Sequence, residues 1–169
     1  NAGNAITEAS YNIAIGTSAM KLSTETPRCI AICFGAMDNT SAGSGSQGSA
    51  DDIFIGYDSG GGTWINAASN NNVCVGNYTM DAAMDGASGN TVMGHYAGSA
   101  LEEGDSNCLF GNSAGQALTD GDNNVLVGVN AGDSITTGGV NTCLGYETDL
   151  TAADQNYAIA IGSSTTAAT

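Results

Sequence analysis

A short apolar triplet closed by glycine recurs nine times along the chain. It reads Ile13-Ala14-Ile15-Gly16, Ile32-Cys33-Phe34-Gly35, Ile53-Phe54-Ile55-Gly56, Val73-Cys74-Val75-Gly76 and Thr91-Val92-Met93-Gly94. It continues Cys108-Leu109-Phe110-Gly111, Val125-Leu126-Val127-Gly128, Thr142-Cys143-Leu144-Gly145 and Ile159-Ala160-Ile161-Gly162. The closing glycines are spaced 19, 21, 20 and 18 residues apart, then 17 four times running. Other columns keep step. Asn precedes the triplet in six of the nine copies, at Asn12, Asn72, Asn90, Asn107, Asn124 and Asn141. An Ala-Gly pair recurs at 97–98, 114–115 and 131–132, and an aliphatic residue returns at Leu101, Leu118 and Ile135.

Such a unit cannot be helical. Gly and Asn are too frequent, β-branched residues dominate the triplets, and no stripe of period 3.6 exists. A 17-residue period is also too short for the common helical repeats. It suits one coil of a solenoid in which equivalent strands stack about 4.8 Å apart, so nine coils rise roughly 40 Å. The fold class expected is all-β: a parallel β-solenoid or β-roll of about nine coils, each 17–21 residues long. Stacked coils turn each column into a ladder. An Asn ladder can hydrogen-bond along itself. The closing glycines Gly16, Gly35, Gly56, Gly76, Gly94, Gly111, Gly128, Gly145 and Gly162 would supply a backbone angle or an approach that a Cβ forbids.

The triplet is apolar at all three positions, while a strand sends its middle residue to the face opposite the other two. Both faces therefore call for burial. One coil holds too few apolar residues to cover two faces, so a partner chain is expected on the second. On this reading the middle column (Ala14, Cys33, Phe54, Cys74, Val92, Leu109, Leu126, Cys143 and Ala160) faces an intersubunit core. The first and third positions then fill the chain's own roll. Cys33, Cys74, Cys108 and Cys143 read as small buried hydrophobes, with Cys29 outside the triplets. Five cysteines cannot all pair within one chain.

Composition narrows the function. The chain of 169 residues carries 17 acidic side chains against Lys21 and Arg28, a net charge of −15. That balance argues against nucleic acid and against an anionic membrane surface. No apolar run approaches the roughly 18 residues of a membrane span. One histidine, His95, and two basic residues lying in different repeats leave little for acid–base catalysis. No enzyme activity, cofactor or metal is expected. The acidic turns at 51–52, 102–105 and 120–122 fit either Ca²⁺ ligation or ordinary turn chemistry that keeps a fibre soluble. The Asn-x-Ser/Thr triplets at Asn39 and Asn77 are what chance gives in so Asn- and Thr-rich a chain.

Units such as 123–132 (NNVLVGVNAG) and 156–165 (NYAIAIGSST) resemble the repeats of trimeric fibres. Bacteriophage tail fibres share this look, and so do the head repeats of trimeric autotransporter adhesins, to which Asn12-Ile13-Ala14-Ile15-Gly16 is similar. The adhesin repeats are somewhat shorter, which puts the phage fibre first. The resemblance covers about residues 10–165. It implies three chains wound as parallel β-rolls about one axis, an extracellular shaft or host-attachment module in a virion or surface appendage, and no catalysis. Its partners would be further copies of itself, as a homotrimer or polymer, and a host cell-surface glycan or protein.

The expected organisation is a lead-in from a longer chain over 1–10, irregular coils with loop insertions over 11–94, and regular coils over 95–169. Insertions in solenoids leave as loops on one side, often the binding side. The longest spans Ser41–Asp52, and another carries Trp64. Trp64, with Asp58, Asn66 and Tyr57 nearby, could stack on a sugar ring; the plainer use of Trp64 is packing over a loop or into a trimer seam. An end-to-end filament subunit and an adhesin head are the alternative functions. An ice-binding face would want a regular Thr column, and none is present.

Overall fold

The structure is a computed structural model and describes residues 1–3, 10–40 and 48–167. Its strands are β1 (Ile13–Ile15), β2 (Ile30–Ile32), β3 (Ile53–Ile55), β4 (Val73–Val75), β5 (Thr91–Met93) and β6 (Cys108–Phe110). They continue as β7 (Val125–Val127), β8 (Thr142–Leu144), β9 (Asp149–Leu150), β10 (Ile159–Ile161) and β11 (Thr166–Ala167). Nine of them stack in chain order into one all-parallel sheet, β1 to β8 and then β10, while β9 pairs with β11 alone. The fold is a parallel β-solenoid of about nine coils, each coil here numbered by its strand in the large sheet. Parallel neighbours need a crossover, and here the rest of each coil is that crossover.

The register corrects one repeat. Ile13, Ala14 and Ile15 pair with Ile30, Ala31 and Ile32, and these with Ile53, Phe54 and Ile55. The second triplet is therefore Ile30-Ala31-Ile32, two residues before the expected Ile32-Cys33-Phe34. Cys33, expected in the middle column, takes the closing-glycine position instead. Gly35, expected at that corner, lies two residues beyond it. The first coil is then 17 residues long, like the last four, and the length irregularity falls in the coils that start at β2, β3 and β4. Residues 41–47 of the Ser41–Asp52 insertion and residues 4–9 of the expected lead-in lie outside the described residues.

The faces are also corrected. Ala31, Phe54, Cys74, Val92, Leu109, Leu126, Cys143 and Ala160 are buried, and they join one core within the single chain, with Ala14 packed against it. The middle column thus fills the chain's own coil, and the first and third columns point outward. The reason is size. A coil of 17 residues encloses room for a few side chains only, so one inward residue per strand suffices. In coil 6 these are Leu109, Ala114 and Leu118.

Interior volume is balanced between two columns. Six residues past the middle position the backbone turns left-handed. That slot holds Met20, Met37 and Met80 in coils 1, 2 and 4, at φ of 50°, 50° and 43°, and Gly60, Gly98, Gly115 and Gly132 in coils 3, 5, 6 and 7. Met goes with a small middle residue: Ala14, Ala31 or Cys74, whose Sγ lies 3.2 Å from Met80 Sδ. Gly goes with a large one. A Cβ on Gly60 would come within 2.7 Å of Phe54, and one on Gly98 within 2.8 Å of Leu109. Close packing tolerates neither the gap nor the overlap.

The Asn ladder forms in coils 4–8. The Asn107 backbone N–H and Nδ2 both donate to Asn90 Oδ1, at 2.9 and 3.1 Å. Nδ2 also donates across the coil to the Gly121 carbonyl at 2.8 Å, and Asn107 Oδ1 accepts from the backbone of Asn124. Asn72, Asn90 and Asn124 repeat this set. Burial without such partners would cost each amide dearly. Asn12 Oδ1 accepts from Cys29 N–H at 2.8 Å, and Asn141 Oδ1 from Ala158 N–H at 2.9 Å. Asp52 holds the same slot in coil 3 and accepts from Asn72 through Oδ1, while its buried Oδ2 has no partner.

At the glycine corner the coils touch. Gly128 has φ 138°, and a Cβ there would strike the Gly145 carbonyl of the next coil. Cys33 carries a side chain at the equivalent corner, at φ 113°.

Candidate interaction face

Because the middle residue turns inward, the sheet presents two outward columns. The first-position column runs from Ile13 to Ile159 and the third from Ile15 to Ile161. None of their eighteen positions is charged. Exposure is highest at the ends: Ile13 and Ile15 are 48% and 57% exposed, Ile159 and Ile161 68% and 65%. Phe110 reaches 52% in mid-stack. Strands about 4.8 Å apart and two outward residues wide make a strip about 40 Å by 15 Å, or about 600 Å². That is at the upper end of what a monomeric protein leaves open to water.

One border of the strip carries an aromatic rail. Phe34 stacks on Tyr57 with centroids 5.3 Å apart, and Tyr78 stacks on Tyr96 at 4.9 Å. Tyr57 and Tyr78 meet edge to face at 5.3 Å, and His95 packs edgewise on Tyr96 at 4.3 Å. The rings spend their faces on one another along the stack, as aromatic pairs prefer.

The residues expected to meet a sugar do not form a platform. Trp64 is buried: Nε1 donates to the Gly60 carbonyl at 3.1 Å, and the ring packs at 60° on Phe54. Coil 3 has Gly60 in the slot that holds Met in its neighbours, and Phe54 with Trp64 fills that coil. Tyr57 is exposed but gives one face to Phe34. Asn66 donates from Nδ2 to Asp85 at 2.8 Å. Asp58 stands near Asp81, whose partial burial, with the charges of Asp58 and Asp38, pushes its carboxyl up to about 6.

The cysteines are free thiols. Burial pushes Cys29 up to about 12 and Cys143 up to about 11, so they are held as thiols. Cys33 is exposed and Cys108 half-buried on the outward face. Among the described residues no cluster of His, Cys, Asp or Glu is arranged to hold a metal ion. No helix among them is long and apolar enough to cross a membrane.

Two features of the site escaped the sequence pattern and had signals there. Thr91 and Thr142 occupy the first position, and no hydroxyl residue occupies the middle one, which marks the middle as the dry side. Asp52 precedes Ile53 as Asn72 precedes Val73, which marks it as a ladder member. No family model, curated protein or solved structure matches the chain.

Proposed function

We propose that this chain is a structural module of an extended extracellular fibre, and that its copies associate as a homotrimer through the outward face of the nine-stranded sheet. The observation that carries the reading is that face: apolar, uncharged and continuous over every coil. The acidic residues lie on the turns and around the other sides, where a trimer charge of three times −15 is spread and screened by salt. The resemblance of the repeats favours a phage tail fibre, with an adhesin head as the related alternative. Contact with a host-surface glycan or protein would fall on coils 2–4, whose extra residues put Asn66 at the surface. The role is non-catalytic on this reading. Arg28 is taken up by Asp51 at 2.6 Å, and Lys21 and His95 sit four coils apart.

The test is the native mass by light scattering at low and high salt. A discrete mass of three chains supports the reading; a folded monomer overturns it. A filament is the second reading, favoured by a sheet whose parallel strands all stack along one axis, a repeat that further copies could continue. It predicts a mass that grows with concentration.

A further inference from the structure

Coil 3 carries an acid in the buried ladder, and the ladder's geometry says what its second oxygen faces. In the Asn coils Oδ1 accepts from the next rung, and Nδ2 donates to the carbonyl three residues before that rung. Asn72 donates to Ala87, Asn90 to Gly104, Asn107 to Gly121, Asn124 to Gly138 and Asn141 to Gln155, all at 2.6–2.9 Å. Asp52 Oδ1 accepts from the Asn72 N–H and Nδ2 at 2.8 and 3.1 Å, as Asn72 Oδ1 does from Asn90 at 3.0 and 3.1 Å. Oδ2 of Asp52 therefore stands where the amides place Nδ2, and the same offset sets it against the Ser69 carbonyl. Asp52 is fully buried, and no donor reaches Oδ2. Two acceptors facing each other away from water call for a proton between them.

No neighbouring charge supplies another answer. Beside Asp52, Asp51 is a like charge, itself held by Arg28. From coil 2 the Cys29 thiol faces it, pushed up to about 12 by burial. From coil 4 come Asn72 and the Cys74 thiol, which burial also raises. Both thiols stay uncharged through the neutral range, and burial raises the Asp52 carboxyl itself to about 8.

We propose that Asp52 is held as a neutral acid whose O–H donates to the Ser69 carbonyl, and that this proton latches coil 3 shut. Ionisation turns the bond into a repulsion between a carboxylate and a carbonyl. The part that gives way is the stretch 61–69, in which only Trp64 and Ser69 are buried. The rungs of coils 4–8 are amides and carry no proton that neutral pH removes, so the device belongs to coil 3. It holds whether or not copies associate. In the opened coil the carboxyl is hydrated and titrates near about 4, as in an unfolded chain. The opening equilibrium then rises about tenfold for each pH unit between about 4 and 8, and levels off above.

Hydrogen exchange at Trp64 reads the latch, because its indole N–H donates to the Gly60 carbonyl inside the closed coil. Rates are taken by NMR across the neutral range in the parent and in Asp52→Asn, which keeps the rung but has no proton to lose. The ratio of parent to variant rate cancels the intrinsic pH dependence of exchange. It should rise about tenfold per pH unit up to about 8 and then flatten; a flat ratio throughout overturns the latch. Trp64 should also be at least about tenfold less protected than the Val125 N–H in coil 7, the mark of a local opening. Equal protection means that the whole chain opens together, and overturns the device. Carbon-13 NMR of labelled aspartates finds the proton itself. The carboxyl signal that Asp52→Asn removes should be that of an un-ionised acid at about pH 6, and an ionised signal there overturns the proposal even if the coil opens.

Discussion

Coils 5–7 and coils 2–4 build the same interior with different residues. In coils 5–7 a large middle residue meets glycine, an aliphatic residue fills the far side, and Asn completes each rung of the ladder. In coils 2–4 the middle residue is Ala31, Phe54 or Cys74, the left-handed slot holds Met, Gly and Met, and Trp64 and Met84 supply volume. What the two regions share is interior volume and a paired polar column. Residue identity and loop length vary around those. The irregular region also carries the faults: Asp52 in an amide slot and Cys33 at a glycine corner.

If that comparison is right, breaking the ladder in the regular region has the largest effect. Asn107→Ala strands the Asn124 N–H and the Gly121 carbonyl in a buried setting, takes one of two donors from Asn90 Oδ1, and should cost about 4 kcal/mol in denaturant unfolding. Met80→Ala removes a side chain that compensates for Cys74, and should cost about 3 kcal/mol through a cavity. Met80→Gly with Cys74→Leu, the pairing that coils 6 and 7 use, should cost less than half of that, because the slot and the middle residue share one volume.

Asp52 sharpens the contrast in the opposite direction. Burial raises its carboxyl to about 8 in the folded chain, against about 4 unfolded. Its contribution is then fully present below about pH 4 and is lost as pH rises through 8, with a slope of at most about 1.4 kcal/mol per pH unit. Asp52→Asn supplies the missing amide. It should raise stability at pH 8 by about 2 kcal/mol and flatten the slope between pH 4 and 8, as read by unfolding at several pH values in parallel with the parent. The smallest effect is at the corner: Cys33→Gly relieves a backbone angle that disfavours a side chain, and should gain about 1 kcal/mol.

Much of this was legible in the residues. Nine triplets and a constant period of 17 lead to a parallel solenoid, and the Asn column announces its own ladder. Two things were hidden. The second triplet was displaced because Phe34-Gly35 imitates the closing motif, while the true corner is a cysteine; hydrogen-bond register, which a linear pattern does not contain, decides between them. The direction of the middle column was hidden because an all-apolar triplet looks the same from both sides. Only the cramped interior of a 17-residue coil shows that one inward residue is enough. Trp64 stayed open between packing and sugar stacking for a related reason: a loop insertion suggests exposure, yet coil 3 lacks the methionine that its neighbours have, and the ring is buried there.

Adjacent residues of β7 test the central claim most directly, since Leu126 points into the coil and Val127 out of it. Circular dichroism with light scattering on Leu126→Asp and Val127→Asp reads fold and assembly together. The account predicts that Leu126→Asp loses the fold, while Val127→Asp keeps the β-sheet signal and melting of a folded coil but scatters as a single chain. A folded Leu126→Asp chain that has lost assembly, beside a Val127→Asp chain that has lost its fold, would contradict it.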